Sequence, residues 1–70
     1  MTLGERLRKA REEAGLTRRE VSDRLGVTEE TIRAWETDED SPGPRVAQAP
    51  AICELFRVSP RWLVLGESRA

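Results

Sequence analysis

Histidine is absent from this chain of 70 residues, and cysteine occurs once, at Cys53. A single thiol has no partner within the chain for a disulfide, and neither a CxxC pair nor a histidine is present to hold zinc. The sequence also lacks a glycine-rich phosphate loop, and a chain this short encloses too little volume for a substrate pocket. These absences argue against an enzyme, and we expect no catalytic residue, no metal and no cofactor.

Long apolar runs and alternating strand patterns are missing as well. The apolar runs are only a few residues long, whereas a helix that spans a bilayer needs about 20 residues. Charge begins at Glu5, so we expect neither a membrane span nor a secretory leader, and the lone thiol fits a reducing cytoplasm. Apolar residues recur at helical intervals, and the aromatic residues are only Trp35, Phe56 and Trp62. The composition therefore predicts an all-α domain with one small core.

Two short helices joined by a tight turn are predicted in the segment 17–36. Thr17 begins a capping box and predicts a helix over about 18–25, and Thr28 caps a second helix that runs to the end of the segment. Gly26 lies between the two helices and lets the chain reverse without Cβ strain. Two helices with this spacing form a helix-turn-helix motif.

Caps, prolines and glycines also divide the rest of the chain. Thr2 and Glu5 make another capping box, and Pro50 fits the first turn of a helix better than its interior, where it would cost about 3 kcal/mol. Ser59 and Pro60 match the N-cap and the first position of a last helix. The predicted boundaries are a helix at about 3–14, a surface loop over 37–44, a loosely helical turn over 45–49, a helix at about 50–57, a helix at about 60–65, a domain over 1–66 and a C-terminal tail over 67–70.

Three strings, LGERLRKAREEAGLT, GVTEETIRAWE and VSPRWLVLGE, resemble the Cro and phage-repressor-like helix-turn-helix family, also called XRE, over nearly the whole chain. The sequence departs from the family pattern at one position, where Arg18 stands in place of glutamine. The resemblance implies a five-helix, lambda-repressor-like DNA-binding domain, which agrees with the predicted helices. The matching residues are Arg11, Thr17, Ser22, Gly26, Val27, Thr28, Glu36, Ser59, Pro60, Trp62, Leu63 and Gly66.

The resemblance also implies roles for individual residues. Arg11 and Glu36 would form a partly buried ion pair between the first and third helices, since the planar guanidinium suits a carboxylate. Arg33 would bind guanine O6 and N7, and either Glu29 or Glu30 would accept from cytosine N4. Glutamates in a first helical turn also stabilise the helix through its dipole, which is the simpler explanation for them. The residues implied to contact phosphates are Thr17, Arg18, Arg19 and Arg45, and those implied to contact bases are Glu29, Glu30, Thr31, Arg33 and Ala34.

Apolar residues of the last predicted helix leave two interpretations open. Trp62, Leu63 and Leu65 could close the core of the monomer, or they could leave an apolar edge for a symmetric homodimer, and the two interpretations are compatible. The other residues predicted to lie in the core of this half of the chain are Trp35, Cys53, Leu55 and Phe56.

Acidic charge is concentrated where the resemblance places the DNA-contacting surface. Residues 29–40 carry one basic and six acidic side chains, whereas the segments on either side each have two more basic than acidic ones. DNA-binding modules usually present a basic stripe, because phosphate contacts supply much of the affinity. Asp38, Glu39 and Asp40 would repel phosphates that approach within a Debye length of about 8 Å.

Two functions from different classes are consistent with this sequence. The first is a sequence-specific regulator of transcription, similar to a repressor or Cro, that binds a palindromic site in double-stranded DNA as a homodimer. Its half-sites would lie about 34–36 Å apart. The second is a protein-interaction module on the same scaffold, whose acidic face binds a basic protein partner, because a fold does not determine its function.

Overall fold

The computed structural model describes residues 1–38 and 40–67, which form five helices and no strand. The helices are α1 (Leu3–Glu13), α2 (Arg18–Leu25), α3 (Glu29–Thr37), α4 (Ala49–Phe56) and α5 (Arg61–Leu65), and a 3₁₀ turn (Val46–Gln48) precedes α4. The last helix, α5, is wound as a π-helix that ends at Gly66. The predicted all-α fold is confirmed. Within the described part of the chain, every helix is too short or too polar to cross a membrane.

Threonines begin the first three helices, as their positions in the sequence predict. The Thr2 hydroxyl accepts the Glu5 N–H at 3.1 Å, and the Glu5 carboxylate accepts the Thr2 N–H at 3.2 Å. Thr17 and Glu20 repeat this reciprocal pair at 3.1 and 3.0 Å, and Thr28 caps α3 with its hydroxyl. The hydrogen bond from the Thr2 backbone lowers the pKa of Glu5, and that from the Thr17 backbone lowers the pKa of Glu20.

Several helix boundaries differ from the prediction by one residue, including both ends of α4. This helix begins at Ala49 rather than Pro50, and Pro50 lies in its first turn, where no N–H is needed for an intrahelical bond. The predicted loosely helical turn is the 3₁₀ turn, in which the Gln48 side chain accepts the Arg45 N–H at 2.8 Å. The first helix ends at Glu13, and α3 extends to Thr37.

All five helices contribute side chains to one apolar core. Trp62 and Leu63 are buried in it, so α5 closes the monomer, whereas Leu65 on the same helix is 66% exposed. Trp35 and Leu55 are only partly buried and pack against the core. The buried apolar residues are Leu7, Ala10, Val21, Ile32, Ile52, Cys53, Phe56, Trp62 and Leu63. Burial raises the pKa of the Cys53 thiol, which makes it a poor nucleophile.

Two residues of α1 that belong to no sequence motif, Gly4 and Arg6, determine how α1 packs against the other helices. A Cβ atom on Gly4 would lie 2.6 Å from the Trp35 carbonyl oxygen and 2.8 Å from the Glu36 carbonyl oxygen. The backbones of α1 and α3 therefore touch at Gly4.

The second residue is Arg6, which is buried and binds backbone rather than a carboxylate. Its guanidinium donates to the carbonyl oxygens of Met1 at 2.6 Å, Leu63 at 2.7 Å and Val64 at 3.2 Å. Carbonyls at the end of a helix lack intrahelical partners, and a buried guanidinium satisfies them. The hydrogen bonds of Arg6 thus connect α1 to α5.

Candidate nucleic-acid interface

A tight turn at Gly26 connects α2 to α3 and sets the geometry of the motif. Gly26 has φ +72°, a left-handed conformation that suits glycine, and its N–H donates to the Ser22 carbonyl. The Val27 N–H donates to the same carbonyl at 3.1 Å. Ser22 is itself buried, and its hydroxyl donates to the Arg19 carbonyl at 2.8 Å. The predicted helix-turn-helix is therefore present, with α3 as its second helix.

One side of α3 faces outward, and we call it the outward face: Glu29, Glu30, Arg33 and Thr37, all exposed. Ile32 and Glu36 lie on the opposite side and are buried. Of the five residues predicted to contact bases, three belong to the outward face. The other two, Thr31 and Ala34, are half-buried at its margins.

Arg33 and Glu30 form an ion pair along the outward face. The Arg33 Nε donates to both carboxylate oxygens of Glu30, at 3.0 and 3.1 Å, and Nη2 donates to Oε1. The third nitrogen, Nη1, donates to the Thr37 hydroxyl at 3.3 Å. This pairing lowers the pKa of Glu30 and raises the pKa of Arg33.

Glu36 lies at the centre of a buried ionic cluster that joins three helices. Its side chain is 2% exposed and is 2.7 Å from Arg11 Nε and 3.1 Å from Arg18 Nε. Arg11 makes a second bond to the carboxylate at 3.2 Å and donates to the Leu16 carbonyl at 2.9 Å. The Arg11–Glu36 contact was indicated by the resemblance, but the bond from Arg18 was missed. No motif pairs Arg18 with Glu36, so the sequence carries no signal for this bond.

Three of the four residues predicted to contact phosphates lie together at the start of α2. Thr17 is the N-cap, Arg19 is exposed, and the Arg18 side chain is 31% exposed while its Nε binds Glu36. Arg45 lies elsewhere, at the start of the 3₁₀ turn, and is exposed.

The acidic connection after α3 forms a turn in which Asp38 accepts two backbone N–H groups. The Asp38 side chain accepts the Asp40 N–H at 2.9 Å, and its carbonyl accepts the Ser41 N–H at 3.0 Å. Asp38 and Asp40 are exposed, and Glu39 lies outside the described residues. Two of the predicted repelling carboxylates therefore face solvent.

The residues predicted for a dimer interface separate into two groups. Trp62 and Leu63 are buried in the core of the monomer, where they pack α5 against the other helices. Leu65 faces solvent together with Val64, which is 53% exposed and was not singled out. Of the predicted tail, Glu67 lies 3.5 Å from Arg61, and residues 68–70 lie outside the described part.

A comparison with known families agrees with this geometry. The model of a family described as a helix-turn-helix domain matches residues 4–69, which include all of α2, α3, α4 and α5 and nearly all of α1. The match covers far more than half of the 70 residues. This chain therefore belongs to the helix-turn-helix domain family.

Proposed function

We propose that this protein is a sequence-specific regulator of transcription, of the Cro and phage-repressor (XRE) type, that binds double-stranded DNA. The observation that carries the proposal is the exposed guanidinium of Arg33 on the second helix of a helix-turn-helix. In proteins built this way the second helix enters the major groove, where each base pair presents a distinct set of donors and acceptors. Arg33 supplies the donors that suit guanine.

Ion pairing reduces the repulsion that the sequence suggests. Of the six acidic residues in 29–40, Glu36 is buried between two arginines and Glu30 is bonded to Arg33. The outward face of α3 carries two glutamates and one arginine, so its formal net charge is −1. The two exposed aspartates follow the C-terminal end of α3, whereas DNA is read by residues near the N-terminal end of such a helix.

Phosphate contacts are proposed at the start of α2. Arg19 is exposed there, and Arg18 turns its Nε toward Glu36, which leaves its terminal nitrogens for a phosphate oxygen. Thr17 lies in the same turn, where the helix dipole favours an anion. With few arginines involved, few counterions are released, so we expect binding to fall less steeply with salt than for basic relatives.

A homodimer and a palindromic operator complete the proposal. Val64 and Leu65 are exposed apolar neighbours on α5, and a two-fold axis through this helix would cover both. Two copies of α3 would then meet successive major grooves about 34–36 Å apart. The buried Cys53 needs no partner and suits a reducing cytoplasm.

A protein-interaction module is the second candidate function, and one observation favours it. Asp38 and Asp40 are exposed beside the outward face, where they would attract a basic protein partner.

Selection of duplexes from a random library, repeated over a range of salt concentrations, tests the proposal. We expect a palindromic motif, and we expect Arg33→Ala to lose its preference at one base pair of each half-site while the other positions keep theirs. Arg19→Ala is the matched control, since it should weaken binding to all sequences and reduce the salt slope by about 1. If no motif is enriched even at low salt, the regulator is excluded and the acidic docking function is favoured.

A further inference from the structure

The guanidinium of Arg33 has five N–H groups, and the structure accounts for three of them. Nε and one N–H of Nη2 face the Glu30 carboxylate, and one N–H of Nη1 faces the Thr37 hydroxyl. One N–H therefore remains on each terminal nitrogen. Two parallel donors on Nη1 and Nη2 are the pair that fits guanine O6 and N7.

The position of Glu30 thus determines which edge of the Arg33 guanidinium group can face DNA. Its carboxylate occupies the side edge, formed by Nε and Nη2, and it binds from the preceding turn of the same helix. Thr37 binds the third guanidinium nitrogen, Nη1, from the following turn, and its hydroxyl also donates to the Arg33 carbonyl at 2.8 Å. A guanidinium that is already bound at Nε and at Nη1 loses less conformational freedom when it meets a base.

Resting on the function proposed above, we propose that Glu30 determines base specificity without touching a base, by fixing Arg33 with its terminal edge toward the groove. Glu30 is then a positioning residue, and its negative charge has two opposing effects on DNA binding. It weakens attraction to every duplex through repulsion of phosphates, and it sharpens the preference for guanine at the Arg33 position.

Glu29 provides a matched control for separating these effects. It precedes Glu30 in the same first turn, is exposed, and carries the same charge, but Arg33 bonds to Glu30. Glu29→Gln and Glu30→Gln each remove one negative charge from the outward face, so both variants should bind a non-cognate duplex roughly twofold more tightly at low salt. Only Glu30→Gln removes the ion pair with Arg33, because a glutamine amide has one acceptor oxygen in place of two.

The experiment measures the affinity of both variants and of the unsubstituted protein for two duplexes. One duplex carries the site selected by the unsubstituted protein, and the other has its Arg33-dependent guanine replaced. We expect the ratio between the two affinities to fall by a factor of about three to ten in Glu30→Gln. The ratio should be unchanged in Glu29→Gln. The Arg33 Nε–H resonance gives a readout without DNA, since its exchange with water should quicken in Glu30→Gln alone.

The outcomes separate the inference from the function on which it depends. If the unsubstituted protein selects no site, the proposed function fails and the inference fails with it. If a site is selected and Glu30→Gln keeps the guanine preference as fully as Glu29→Gln does, only the inference is overturned. If a second selection carried out with Glu30→Gln shows a changed preference at a different base pair, the inference is also overturned, because Glu30 would then contact that base directly.

Discussion

At the scale of single residues, Glu36 has the largest structural consequence, because arginines from α1 and α2 both bind its buried carboxylate. Removing one partner of a buried ion pair leaves the other charge uncompensated. Glu36→Gln keeps the shape of the side chain but removes its charge. We expect the free energy of unfolding to fall by about 3 kcal/mol, measured by urea denaturation followed through tryptophan fluorescence.

An exposed pair in the same molecule provides the control for this variant. Arg8 and Glu12 lie 3.5 Å apart in α1, and both side chains are more than half exposed. Glu12→Gln should change stability by less than about 0.5 kcal/mol, since water screens such pairs. Equal urea midpoints for the two variants would show that the Glu36 cluster contributes no more than a surface pair.

The sequence predicts single residues well only where a motif fixes the partner. Arg11 and Glu36 could be paired because their positions in the family pattern are known. Arg6 and Arg18 could not, since an arginine can bind a carboxylate, a carbonyl or water, and the choice depends on what the fold brings near. For Arg6 that is the end of α5, which is more than fifty residues away along the chain.

At the scale of helices, Gly4 controls how closely α1 approaches α3. Alanine favours a helix over glycine by about 1 kcal/mol, so helix propensity alone predicts that Gly4→Ala would stabilise the protein. The added Cβ would instead lie 2.6 Å from a carbonyl oxygen of α3, and the helices would have to move apart. We expect a net destabilisation of about 1–3 kcal/mol, measured as a lower melting temperature by circular dichroism.

Lys9→Ala is the comparison for this variant, because Lys9 lies on the exposed side of the same helix. It should leave the melting temperature nearly unchanged. A more stable Gly4→Ala protein would mean that the two backbones do not touch as described.

Helix boundaries were predictable where a side chain caps the backbone and less so elsewhere. Thr2, Thr17 and Thr28 mark their helices in both sequence and structure. Pro50 marks a first turn, but because proline is tolerated throughout that turn it does not show whether the helix begins at Pro50 or at Ala49. The π-helical winding of α5 has no signal in the sequence either.

At the scale of the whole molecule, the number of acidic residues does not show how much negative charge is left unpaired. The sequence gives a net charge of −1 and a strongly acidic segment, yet it does not show which carboxylates are bonded. Pairing brings Glu36 into the interior and joins Glu30 to Arg33. The candidate site was therefore predictable in position, and its electrostatics required the packed helices.

The hydrogen bonds of three exposed carboxylates predict how the stability of the whole molecule changes in acid. The pKa values of Glu5, Glu20 and Glu30 lie below the ordinary 4.5 in the folded protein. The unfolded chain then binds more protons than the folded protein in acid, so the free energy of unfolding rises with pH in that range. The stabilisation is fully present above about pH 4.5 and is lost as the pH falls through the lowered values.

Urea midpoints measured between pH 7 and pH 2.5 should therefore stay level down to about pH 5 and then decrease. The double variant Glu5→Gln and Glu20→Gln removes two carboxylates of the capping boxes, whose pKa values are lowered by backbone hydrogen bonds. Glutamine does not titrate, so the decrease should be shallower in this variant. A curve parallel to that of the unsubstituted protein would show that the capping carboxylates are not bonded in solution, and that other acidic groups govern the loss of stability in acid.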